Sequence, residues 1–304
     1  MVNFRQDGFL TSVFLALLSS MFSGAFFIIA LKGVSIFNSF MFFSVVSIFE
    51  FLLIIFVMLI KHRKIAFPRK RYIFNGFVYT IATLLFLSIM NRSNLVLLSE
   101  IITTNILVFM GLQIAYHKDI VHRGIILKLL SGGIVAIIAI LVVYGFDSAK
   151  IGTITLLLTI VLTLLYGIAN YWFSHNSKHS YTKTNFIFWL ILFQLLITTS
   201  ATVMFGFALK PSFKLLFYGF IGALTLFASL FLMIYSYQMI KEYAPVSRLI
   251  STSVLFILSE TDVVFISVFY DIFVKSLNIA TICSLALLLF AIYILSTVEE
   301  KIEK

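Results

Sequence analysis

Polar breaks divide an otherwise apolar chain into ten long runs, at 9–31, 36–60, 72–90, 95–116, 125–144, 151–173, 184–209, 213–237, 250–274 and 277–297. Each run is close to the roughly 20 apolar residues that a helix needs to cross a hydrocarbon core about 30 Å thick. The pattern therefore predicts an all-α polytopic membrane protein of ten transmembrane helices joined by short connections. Because the first run is followed by nine more, it reads as a span and not as a cleaved signal segment.

The basic residues fall between the runs and set the orientation. One side holds Arg5, Lys61, Arg63, Lys64, Arg69, Lys70, Arg71, Lys118, Arg123, Lys128, Lys178, Lys183, Lys241, Arg248, Lys301 and Lys304. The other holds only Lys32, Arg92, Lys150, Lys210, Lys214 and Lys275. Basic residues are retained in the cytoplasm, so both termini are expected there, in a multi-pass protein of the cell (inner) membrane. The cluster "KHRKIAFPRKR" reads first as a topological signal and second as a contact for anionic lipid.

Ten runs invite a comparison of two halves, 1–146 and 147–304. "NILVFMGLQIAYHKD" (105–119) aligns without a gap with "DVVFISVFYDIFVKS" (262–276), and the same register brings the fifth run onto the tenth; the earlier runs need another offset. A repeat with an odd number of spans enters the membrane upside down the second time, which is the inverted five-helix repeat of many secondary transporters.

Composition agrees. The 304 residues are 62% hydrophobic and 11% charged, with a mean hydropathy of +1.12, whereas a soluble domain is about half apolar and a quarter charged. The formal net charge of +10 would suggest nucleic acid in a soluble protein; with these basic residues placed between apolar runs, the expected surface partner is the lipid bilayer, with no nucleic acid. The single Cys283 lies in an apolar run and forms no intrachain disulfide.

The segment "NILVFMGLQIAYHKDIVHRGIILKLLSGGIVAIIAILVVYG" (105–145) resembles the fourth and fifth spans of the drug/metabolite transporter superfamily, in its ten-span EamA-type branch. Asn105 stands where Pro is usual and Asp119 where Glu is usual. "ALKG" (30–33) is similar to the close of that family's first span, Ser44 lies near the place of a common Arg, and "SETDVVFISVFYDIFVKS" resembles the ninth-span "YTDVVFA" stretch, with Ser276 replacing the usual terminal acid. The resemblance implies two repeats and export or exchange of small metabolites, and selects no substrate among them.

A carboxylate at mid-membrane costs about 2.5–3.5 kcal/mol on insertion scales, so it usually faces a partner or a watery cavity. On the fourth run Ser99, Glu100, Thr103 and Thr104 fall in one helical arc with Asn105 beside it. On the ninth, taken as one continuous helix, Ser259 and Asp262 share a stripe that leaves Glu260 on another face, so Asp262 is the preferred pocket acid. Glu50 lies in the middle of the second run. Glu50, Ser99, Glu100, Thr103, Thr104, Asn105, Ser259 and Asp262 are the candidate substrate-binding or coupling residues. Two of them carry rival readings: Glu100 as an interfacial acid paired with Arg92, and Glu50 as an interhelical hydrogen-bonding residue. Gly219 with Ala223, and Gly132 with Gly133, read as close-packing positions.

The five histidines fall in the connections without the Cys or carboxylate company of a metal site, so no metal or cofactor is expected. Phosphate-binding glycine loops and nucleophile elbows do not occur. The leading expectation is a secondary transporter, not an enzyme, taking a small-molecule substrate and coupled to protons or a counter-substrate. A non-transporting scaffold and a membrane-embedded lipid-modifying enzyme are the alternatives.

Overall fold

The computed structural model describes residues 6–90, 104–144, 153–179, 183–206, 212–241, 245–262, 264–265 and 279–296. Among them are ten helices and no strand: α1 (Gln6–Ile36), α2 (Ser39–Ile60), α3 (Lys70–Met90), α4 (Asn105–Tyr116), α5 (Arg123–Tyr144), α6 (Thr153–His179), α7 (Lys183–Met204), α8 (Phe213–Met239), α9 (Pro245–Ser259) and α10 (Ile279–Ser296). One helix lies in each run of the sequence. Five of them, α1, α2, α6, α7 and α8, are long and apolar enough to cross a membrane, and α4, α9 and α10 hold shorter apolar helices. Apolar side chains such as Phe14, Leu52, Phe56 and Leu157 cover the outside, as lipid-facing surfaces require.

Some boundaries move for local reasons. α1 continues to Ile36, and α2 starts after Asn38, whose Oδ1 accepts a 2.9 Å hydrogen bond from Phe40 N; this amide caps an otherwise orphan donor. α6 runs on to His179 because the polar residues of its last turns are buried: Ser174, Asn176 and Ser177 are fully covered. His175 is thus helical, stacked on Tyr171 at 6.3 Å, and not in a connection. The largest departure is α9, which ends at Ser259, inside the run expected to be one continuous span. Thr261 N reaches back only three residues to Leu258 O, and Thr261 O then accepts from both Val264 N and Phe265 N. The backbone ladder is broken and restarted within "SETD".

Helices of the first half of the chain pair with helices of the second, α2–α7 and α4–α9 antiparallel. On α2 and α7, Ser44 meets Thr202 (2.7 Å), Ser47 meets Thr198 (3.4 Å) and Glu50 meets Gln194 (2.9 Å). On α4 and α9, Asn105 meets Glu260 and Phe109 stacks on Phe256. Ser19 of α1 donates to Ser229 O of α8, Phe74 of α3 packs on Trp172 of α6, and Gly132 of α5 lies under Leu295 of α10. The most extensive contacts are α1 with α8 and α5 with α10, followed by α2 with α7 and α3 with α6. Gly219 meets Val45 of α2 so closely that an added Cβ would lie 2.5 Å from Val45 Cγ1, and Ala223 beside it is fully buried. Glycine and alanine there let two helix backbones approach.

Many helical hydroxyls are satisfied on their own helix. Thr80, Thr159, Thr163, Thr198 and Thr252 each donate to the carbonyl four residues earlier, a bond that lets a hydroxyl sit among apolar side chains. The apolar interior forms two clusters, one around Ile106, Phe109, Ile187 and Phe256, the other around Phe26, Phe42, Val46 and Phe86.

Candidate functional site

Between those clusters lies a cavity of about 190 Å³. Residues of α1, α2, α3, α4, α6, α7, α8 and α9 reach it, while no described residue of α5 or α10 does. Nine of its 22 described lining residues are aromatic. Their rings hold one another edge to face: Phe26 on Phe43 at 5.7 Å and 86°, Phe27 on Phe86 at 5.9 Å and 90°, Tyr79 on Tyr166 at 6.4 Å and 80°. Such pairs favour a fixed geometry and stiffen the walls.

The polar part is built where α9 breaks. At the break Glu260 sits in the turn and Asp262 opens the next helical stretch, and both reach the cavity, although a continuous helix would send them to different faces. Asn105 at the start of α4 donates through Nδ2 to Glu260 Oε2 at 3.2 Å, and Asn170 of α6 donates to Oε1 at 3.4 Å. Ser23 of α1 donates to Asp262 Oδ2 at 2.9 Å, and its neighbour Ser20 shares a 2.8 Å hydrogen bond with Thr261. Three helices thus anchor the broken segment. Gln194 completes the set from α7.

The sequence candidates divide accordingly. Asn105, Ser259 and Asp262 line the cavity. Thr104 precedes α4, where its carbonyl accepts from Leu107 N, and it is not among the lining residues. Ser99, Glu100 and Thr103 lie outside the described residues. Glu50 does not line the cavity. It is fully buried between α2 and α7, where Gln194 donates to Oε2, because the α2 face that carries Ser44, Ser47 and Glu50 is turned onto α7. Its contact with the site is indirect, through Gln194.

Glu260, Asn170, Gln194, Ser23 and the tyrosines 79, 166 and 237 were not among the candidates. For Glu260 the signal was present: Ser, Glu, Thr and Asp in succession are helix-end residue types, and four of them inside an apolar run mark an interruption. Asn170 and Gln194 look in sequence like other isolated in-span amides; only tertiary packing turns them inward. Among the described residues no group of three His, Cys, Asp or Glu is placed to hold a metal.

No family model matches the chain, and no curated protein matches it in sequence. A solved structure described only as the crystal structure of a protein is similar over 99% of this chain and 100% of its own, with a TM-score of 0.75 at 9% identity. At that identity the likeness is one of fold: the chain shares a known helical architecture along essentially its whole length.

Proposed function

We propose that this chain is a secondary transporter, an exporter or exchanger of a small metabolite, working by alternating access in the cell (inner) membrane with protons or a counter-substrate as coupling partner. In this reading it crosses the membrane ten times, with both termini cytoplasmic, as a divergent EamA-type member of the drug/metabolite transporter superfamily. Residues 1–146 and 147–304 are its two inverted repeats.

The helix neighbours support the repeat. Exchanging α1–α5 for α6–α10 turns the α1–α8 contact into α6–α3, α2–α8 into α7–α3, and α4–α6 into α9–α1, all of which occur. Of the pairs that map onto themselves, α2–α7 and α4–α9 run antiparallel, as an inverted repeat demands, and α5–α10 is in extensive contact. The lining residues Ser19, Ser23 and Phe26 of α1 are spaced like Tyr166, Asn170 and Phe173 of α6, and Ser23 and Asn170 each bond an acid of the broken segment.

The observation that carries the functional reading is the polar cavity at the α9 break, shared by both halves of the chain. Interrupted helices beside a central cavity are where secondary transporters bind substrate and coupling ion. Toward the cytoplasmic ends of α4 and α9 the Phe109–Phe256 stack, with centroids 3.9 Å apart, closes the cavity; alternating access requires that contact to part.

The test is counterflow of a radiolabelled metabolite panel in proteoliposomes. We expect saturable exchange of at least one compound by the unsubstituted protein, and loss of that exchange in Glu260→Gln with thermal unfolding unchanged. No exchange across a broad panel, or full exchange in the variant, would sink this reading.

A further inference from the structure

Resting on the reading of this cavity as a substrate site, the distribution of donors and acceptors within it identifies a class of ligand. The amide groups turn their N–H donors toward carboxylates: Asn105 and Asn170 toward Glu260, Gln194 toward Glu50 and Ser47. Asn105 Oδ1 and Gln194 Oε1 are left buried without a partner in the protein. The hydroxyls behave alike. Ser23 donates to Asp262, Ser259 to Phe256 O and Thr83 to Tyr79 O. The Ser19–Ser229 hydroxyl pair and the lining tyrosines can act in either sense.

The cavity is therefore rich in acceptors and carries two carboxylates, and no Lys, Arg or His is among its described lining residues. A carboxylate ligand would meet like charge, and a neutral one would draw on none of the charge attraction that two acids offer a cation. An ammonium brings the opposite charge and three N–H donors. Fixed aromatic faces around the acids add cation–π attraction for an organic cation, which a hard metal ion, held by oxygen ligands and its own waters, does not use. The volume of about 190 Å³ is many times the roughly 10–15 Å³ that one water needs, room for one ring and a short chain.

We propose that the substrate is a small primary amine bearing an aromatic or similarly apolar group and no carboxylate, with its ammonium on Glu260 and Asp262 and its apolar body against the aromatic wall. The experiment is calorimetric titration of the full-length protein in lipid nanodiscs with phenethylamine, 2-phenylethanol, 3-phenylpropanoate, phenylalanine and Mg²⁺. Phenethylamine is expected to bind saturably, with the alcohol and both carboxylate-bearing probes weaker by roughly 30-fold or more. Glu260→Gln and Asp262→Asn should each weaken the amine by a similar factor and leave 2-phenylethanol unaffected. Equal binding of amine and alcohol, preference for 3-phenylpropanoate or phenylalanine, or displacement of the amine by Mg²⁺ overturns the proposal, and the unsubstituted protein alone can return these outcomes if the variants fail to fold. Counterflow separates the two claims. Amine binding without exchange of any metabolite sustains the ligand class and removes transport; exchange of a metabolite that phenethylamine does not inhibit does the reverse.

Discussion

Two acids in apolar runs of the sequence, Glu50 and Glu260, show how similar residues take different work from their surroundings. Glu50 is fully buried between two helices, with Gln194 donating to one oxygen. Glu260 is held by two amides from different helices and faces the cavity. Interhelical hydrogen bonds in membranes average about 0.6 kcal/mol, so Glu50→Gln should cost less than about 1 kcal/mol in thermal unfolding and leave counterflow near that of the unsubstituted protein. Loss of exchange in Glu50→Gln with intact melting would put Glu50 in the coupling machinery after all. The site was partly legible in the sequence. Asn105, Ser259 and Asp262 stand out as polar groups in apolar runs and do line the cavity. Glu260 was misjudged by a helical wheel carried across a break, because the wheel assumes the continuity that "SETD" removes. Gln194 and Asn170 were illegible for another reason: which face of a span turns inward is decided by its neighbours, which a single sequence does not contain.

At the scale of the helix, each of the ten described helices lies in an apolar run of the sequence, because a long run free of polar breaks favours one buried or lipid-facing helix. Close approach was read at Gly219 and at Gly132 with Gly133, and not at Gly167, and its consequences depend on what each glycine meets. A Cβ on Gly133 would press on the Met110 thioether at 2.6 Å; on Gly167 it would lie 2.5 Å from Val108 Cβ and Cγ1 and 3.2 Å from Asn105 O. Methionine is flexible and yields, while a β-branched side chain is stiff and a backbone carbonyl more so. Gly133→Ala should therefore be near neutral, helped by alanine's helix propensity of about 1 kcal/mol. Gly167→Ala should lose about 1–3 kcal/mol through overpacking. It should also weaken ligand binding, since Gly167 precedes by one turn the Asn170 that holds Glu260. Thermal melting of both variants in one detergent checks the contrast, and equal effects would show that α4 and α6 can separate freely.

For the whole molecule, the internal similarity between 105–119 and 262–276 suggests two units, yet the packing interlocks them. The principal partner of α1 is α8 and that of α3 is α6, and α2 lies mainly on α7 and α8. The contacts of α1 with α2, of α2 with α3 and of α6 with α7 are slight by comparison. Each half thus buries its helix faces against the other, and a repeat in sequence need not be a folding domain. In isolation a half would leave Ser44, Ser47 and Glu50, or Gln194, Thr198 and Thr202, without their cross-half partners. Unpaired polar groups of this kind are costly in hydrocarbon. Expressed alone, 1–146 and 147–304 should each be degraded or aggregate, while the two expressed together from separate messages should co-purify as a complex, since the chain connection supplies little beyond high local concentration. Co-purification through a tag on one half, compared with the yield of each half alone, reads the result. A half that is monomeric and stable by itself would mean that its helices pair internally and that the cross-half ladders are dispensable.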